Sequence, residues 1–167
     1  MSIVQEVVVA VGKEENVASY AAIVPESVRV LKDTMSEKSP LVGIVTGFQV
    51  MNSEYSLVLS CDTPLVKSRV LELLFERAIG SDAAIPRWSD GEIEPLQSVY
   101  RVASALPAAV QALGERRYRN VDMIQRLGKV TYVPIEDVKN FDNSLTTFFN
   151  VNTESDLLQA QKISGIN

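Results

Sequence analysis

Apolar residues along this chain come as short β-branched runs, set between stretches where they recur at helical spacing. Val7–Val11 is the first run, ended by Gly12. A continuous run of this kind predicts a strand covered on both faces, as in parallel sheets. Residues 28–31 predict a second, shorter strand ending at Lys32-Asp33. Pro40 opens a helix over 40–50, since a proline in the first turn loses no hydrogen bond. Gly43 and Gly47 share one face of that helix, where they permit close approach of backbone or ligand.

Residues 55–60, YSLVLS, form the clearest strand and run into Cys61-Asp62-Thr63-Pro64, with a helix expected over 67–79. Beyond it the pattern predicts a strand at 82–85 and a polar turn at 87–92 around Trp88 and Gly91. The segment 93–101 is extended, and Pro95 marks an edge or a bulge in it. Helices follow at 103–113 and 121–127, strands at 130–134 and 148–151, and a closing helix at 154–163 with Thr153 as its N-cap. Strands alternating with helices imply βαβ units. The expected class is α/β, three layers around a mostly parallel sheet, in one domain over residues 1–167.

Composition narrows the chemistry. With 167 residues and 46% hydrophobic content the chain can bury a core of its own. No apolar run nears the ~20 residues of a membrane-spanning helix. The start, MSIVQEVVVAVGKEE, lacks the basic flank and the cleavage site of a secretory signal. A soluble, cytoplasmic protein with no membrane partner is expected. The net charge of −5 argues against nucleic acid, whose binding rests on neutralising phosphates with Lys and Arg. Histidine is absent, which removes Ser-His and Cys-His catalysis and His-ligated zinc. The single Cys61 forms no intrachain disulfide and, with no histidine to activate it, reads as a small buried apolar residue. Any chemistry must rest on carboxylates, amides, Lys and Arg, with a hard ion such as Mg2+.

Four places could carry that chemistry. Asp62 follows a buried-looking strand, and in open α/β sheets ligands sit beyond the carboxyl ends of the strands; it is either a magnesium ligand facing a phosphate or a cap of the next helix. Asn150 and Asn152, two apart on an extended segment, point the same way and either meet one ligand or form an Asx turn. Gly43, near a helix start, either lets a purine or ribose lie against the backbone or serves packing. Arg116 and Arg117, in the run Glu115-Arg116-Arg117-Tyr118-Arg119, either grip a phosphate-bearing substrate or belong to a solvated loop.

In order, the chain shows a V-V-V strand, an L-x-D segment, P-L-x-G-I, C-D-T-P-L, I-E-P-L-Q-S-V-Y, G-E-R-R and F-F-N-V-N-T-E-S-D-L. This series resembles the molybdenum cofactor guanylyltransferases (the molybdopterin-guanine dinucleotide biosynthesis protein A family), which attach GMP from GTP to molybdopterin. The resemblance runs from Val4 to Gln161, and C-D-T-P and N-V-N-T-x-x-D-L are its most specific parts. It implies a Rossmann-like nucleotidyltransferase fold, with GTP and the molybdopterin cofactor as substrates. By the same resemblance Asp62 is the Mg2+-binding aspartate, and Asn150 and Asn152 are active-site asparagines. Asp33 and Gly43, with Asp62, line the guanine nucleotide site.

Three departures go with the resemblance. The family opens with a strand and a Gly-rich loop of the type L-A-G-G-x-S-x-R-M-G, which cradles the triphosphate; this sequence has neither, so an N-terminally truncated form of the fold is expected. Ala10 stands where relatives often carry a polar residue, and Glu94 replaces a histidine of the substrate wall. Either the chain is a guanylyltransferase without its first segment, or it is a non-catalytic remnant serving as a binding or partner domain. A nucleotidyltransferase for another phosphorylated substrate is a further reading. In the family the first strand lies between those matching Val7–Val11 and residues 55–60. Apolar strands cannot stay as bare edges in a soluble domain, so two outcomes are expected: these strands pair directly, or another chain, such as a second copy in a homo-oligomer, covers the gap.

Overall fold

The computed structural model of the chain describes residues 3–165. It is an α/β structure with parallel-rich sheets, as the alternation of patterns predicts. β1 (Val7–Val11) leads through α1 (Val17–Ala21) to β2 (Val28–Lys32), α2 (Pro40–Phe48) and β3 (Tyr55–Leu59). Then come α3 (Ser68–Ala78), β4 (Ala83–Arg87), β5 (Gln97–Arg101), α4 (Val102–Gly114) and α5 (Asn120–Ile124). β6 (Val130–Pro134), α6 (Ile135–Lys139), a 3-10 turn (Thr146–Phe148) and α7 (Glu154–Ser164) complete the order. β1 and β2 pair in parallel, Val7 opposite Val28. The second sheet has the order β3-β5-β4-β6, and β4 runs parallel to β6 with Arg87 opposite Pro134. Among the described residues no helix is long and apolar enough to cross a membrane.

The chain packs as two compact units, Met1–Ser56 with Tyr100–Lys129 and Leu57–Val99 with Val130–Asn167, so the boundary falls within β3 and β5. In the first, α2 buries Leu41, Val42, Ile44, Val45 and Phe48 and packs against β1, β2 and α4. Ser39 caps α2 by accepting the Leu41 N–H at 3.1 Å, while its hydroxyl donates to the Tyr118 carbonyl. The small buried residues Ala105, Ala108, Ala109 and Ala112 let α4 approach its neighbours closely. In the second unit, residues 83–86 of β4 are all buried, and α3 supplies Val70, Leu73, Leu74 and Ala78 to the core. α6 adds Ile135 and Val138.

Several sequence expectations need correction. β1 is not covered on both faces: Val7 is 42% exposed and only Val11 is buried. β1 bonds to β2 and β3 to β5, each as the end strand of its own sheet, so direct pairing of β1 with β3 does not occur. The strand expected at 148–151 is instead the 3-10 turn and an irregular segment, because the Asp142 carboxylate captures the Thr147 N–H at 2.7 Å and curls the chain before it can extend. Cys61 is exposed rather than buried, since β3 ends at Leu59 and the chain turns outward there. α1 and α6, five residues each, are too short for an apolar period to show.

Candidate functional site

In the second unit the structure brings Asp62 and the two asparagines together. Asp62 is half-buried just past the end of β3, and its Oδ1 accepts from the Ser60 hydroxyl. Its backbone carbonyl accepts the Val151 N–H at 2.8 Å. Val151 stands between Asn150 and Asn152, whose Cα atoms lie about 3.8 Å from its own. The Lys67 N–H donates to Thr147 Oγ1 at 3.2 Å, a second tie between the Asp62 loop and the asparagine segment. Below the loop, Thr63 Oγ1 donates to the Ser60 carbonyl at 3.0 Å and accepts from the buried Gln97 amide at 3.4 Å. The loop is therefore held from beneath and from one side.

Two carboxylates that the sequence reading did not single out fix the asparagine segment. Asp142 is 5% exposed, and its Oδ2 accepts the Thr147 N–H at 2.7 Å while Oδ1 accepts from the Thr146 hydroxyl at 3.2 Å. Burial pushes the Asp142 carboxyl up, but the hydrogen bonds from Thr147 and Thr146 outweigh it and hold it below the ordinary aspartate range. Asp156 closes a capping box with Thr153: its Oδ2 accepts the Thr153 N–H at 2.9 Å and the Asn152 N–H at 3.1 Å. The hydrogen bond with the Thr153 side chain, and then the Asn152 and Thr153 N–H groups, outweigh burial and lower the Asp156 carboxyl as well. The signal for Asp156 was visible as T-x-x-D ahead of a helix; Asp142 left no local signature.

Asn150 and Asn152 are exposed, and neither side-chain amide is engaged by another described residue. With one carboxylate and two amide carbonyls, the site offers only oxygen donors. No group of three or more His, Cys, Asp or Glu side chains forms a metal cage among the described residues. Such a donor set fits magnesium, which keeps several waters and takes its remaining ligands from substrate phosphates.

The other sequence candidates lie in the first unit. Asp33 follows β2; its N–H donates to the Val11 carbonyl at 2.8 Å and its Oδ1 accepts from Thr46 Oγ1 at 2.6 Å. A Cβ on Gly43 would meet the Ala10 Cβ at 3.5 Å, an ordinary contact, so packing alone does not demand glycine there. In the basic run, Arg117 Nε lies 3.4 Å from Asp122 Oδ1 and Arg119 Nε lies 3.5 Å from Oδ2. Burial raises the Asp122 carboxyl, but the bonds and charge of Arg119, with Arg117, outweigh it and keep it low. Arg116 is exposed, at φ 59°.

Known proteins bear on this arrangement. The family model described as the MobA-like NTP transferase domain matches residues 1–130. A probable molybdenum cofactor guanylyltransferase from Methanosarcina mazei is 36% identical over 130 residues, 78% of this chain and 58% of the relative. One of the same name from Natronomonas pharaonis is 31% identical over 163 residues, 97% of this chain and 79% of the relative. The crystal structure of molybdopterin-guanine dinucleotide biosynthesis protein A from Archaeoglobus fulgidus superposes with a TM-score of 0.78 at 28% identity, covering 95% of this chain and 78% of that one. The chain thus spans about 58% of the length of the Methanosarcina relative. By the family match and by relatives aligned over most of their length, this chain belongs to the MobA-like NTP transferases.

Proposed function

We propose that the chain serves the transfer of GMP from GTP to a molybdopterin cofactor, with Asp62, Asn150 and Asn152 at the reacting phosphate. The observation that carries the reading is the 2.8 Å hydrogen bond from the Val151 N–H to the Asp62 carbonyl, which joins two distant segments into one set of oxygen donors and amide groups. The name carried by its relatives, probable molybdenum cofactor guanylyltransferase, supports a guanylyl transfer to that cofactor. Asp62 and the asparagine carbonyls would hold Mg2+, which when bound offsets the charge of the phosphates. The NH2 groups of Asn150 and Asn152 donate to phosphate or ribose oxygens and orient them for in-line attack. In the first unit, Asp33, with Oδ1 held by Thr46, and Gly43 are the residues that the family resemblance assigns to guanine. Arg116 supplies a positive charge for the acceptor phosphate, while Arg117 is partly neutralised by Asp122. A cytoplasmic location accords with GTP as the donor.

The test is a transfer assay with GTP, Mg2+ and molybdopterin, following pyrophosphate release and the nucleotide-linked product. Asp62→Ala is expected to lower the rate by about 10²–10³, the size seen when a key electrostatic contact to a transition state is removed. An undiminished rate in that variant, or no transfer by the unmodified chain, would overturn the reading.

A further inference from the structure

Beneath Asp62 lies a line of polar side chains that the chemistry at the phosphate does not use. Gln97 opens β5, the neighbour of β3 in the sheet, and Thr63 follows Asp62; each is 4% exposed. A buried amide or hydroxyl costs stability unless it is bonded, whereas an apolar pair of the same shape would fill the place without that cost. Their hydrogen bonds run in one direction. Gln97 Nε2 donates to Thr63 Oγ1 at 3.4 Å, and the single Thr63 hydroxyl proton goes to the Ser60 carbonyl at 3.0 Å. The Ser60 N–H donates to the Leu96 carbonyl at 2.9 Å, just ahead of β5. Ser60 is thereby fixed through both of its backbone groups.

The line ends on the carboxylate. The Ser60 hydroxyl donates to Asp62 Oδ1, and no described residue bonds to Oδ2. The terminal torsion of an aspartate is broad and roughly two-fold, so the side chain by itself does not choose which oxygen faces a ligand. The Ser60 hydroxyl makes that choice, and Thr63 and Gln97 hold Ser60 in place to make it. We propose that Ser60, Thr63 and Gln97 are positioning residues that act through Asp62, pinning Oδ1 and leaving Oδ2 to meet the metal. The proposal rests on the reading of Asp62 as the magnesium ligand. Partners of this kind, one shell removed from the ion, change metal affinity by about 10–100-fold when they are lost.

Water proton relaxation with manganese in the presence of GTP measures how tightly the chain holds the ion. Thr63→Val keeps the shape and removes the hydroxyl, and Ser60→Ala removes the last donor; each should weaken manganese binding by about tenfold or more. Thr63→Ser restores the hydroxyl and should return the affinity to near that of the parent. The double variant Ser60→Ala/Thr63→Val should bind no worse than Ser60→Ala alone, because both losses pass through one carboxylate. Ser60 is only half-buried, so Ser60→Ala keeps the test open should Thr63→Val fail to give the parent's far-ultraviolet circular dichroism. Parental affinity in Ser60→Ala, alongside a loss in Asp62→Asn, would overturn the proposal and leave Asp62 as the ligand. Equal affinities of Thr63→Val and Thr63→Ser, or additive losses in the double variant, would overturn it as well. A parent chain that binds no manganese would overturn the metal reading of Asp62 and this proposal with it.

Discussion

Asp142→Asn isolates the carboxylate that shapes the asparagine segment. The side chain is buried and accepts at 2.7 Å from the Thr147 N–H and at 3.2 Å from the Thr146 hydroxyl. Hydrogen bonds to a charged partner contribute about 1.5–3 kcal/mol. Asparagine keeps the shape but loses the charge and can turn an NH2 toward a donor, so a cost near that range is expected. For a chain of this size it corresponds to a fall in Tm of roughly 3–12 °C. The folded carboxyl titrates below its ordinary value of 3.8, so its stabilisation is present above that value and is lost as pH falls through the lower folded value. Thermal unfolding followed by circular dichroism should show the full gap between parent and variant at pH 7 and a shrinking gap below about pH 4. Equal Tm values at pH 7, or a gap that persists unchanged in acid, would refute this account of the 146–148 turn.

Other substitutions follow from the same geometry. A Cβ at Gly47 meets nothing within 4 Å, so Gly47→Ala should stabilise α2 by up to ~1 kcal/mol in thermal unfolding. Gly43→Ala should be equally tolerated; unchanged GTP affinity in that variant would remove Gly43 from the nucleotide site. Burial raises the Glu94 carboxyl against the Trp88 hydrogen bond, so stability present below 4.5 is lost as pH rises through the folded value. Glu94→Gln should accordingly raise Tm at pH 7 and leave it unchanged near pH 4, and an equal shift at both would count against the argument. The half-covered β1, as an end strand, should drive association of chains at high concentration in sedimentation equilibrium; a monomer at every concentration would contradict that expectation.

Much of the fold was legible because its signals are local. The β-branched run of β1, Pro40 at the start of α2, and Thr153 ahead of α7 each state their element within a few residues. Asp62 and the asparagine pair were also legible as candidates, from their place after apolar segments. Their joining came only from the family resemblance and from no local signal, because the Val151 to Asp62 hydrogen bond spans about half of the chain. Asp142 was illegible for the same reason: an exposed and a buried aspartate look alike in sequence, and only packing makes this one an organiser. The run Phe148-Phe149 read as a strand because apolar pattern was weighed without the carboxylate that bends it. The ion pair of Arg117 was not legible because its partner, Asp122, sits in the following helix.

Manganese, standing in for magnesium, tests most directly whether Asp62 and the asparagine pair form one metal-holding site. Electron paramagnetic resonance of the free ion, titrated with the chain in the presence of GTP, should show one bound manganese per chain. Asp62→Asn should abolish that binding, Asn150→Ala and Asn152→Ala should each weaken it, and Asp142→Asn should weaken it through the displaced segment. Manganese bound equally well by the Asp62→Asn variant, or indifferent to both asparagines, would contradict the site.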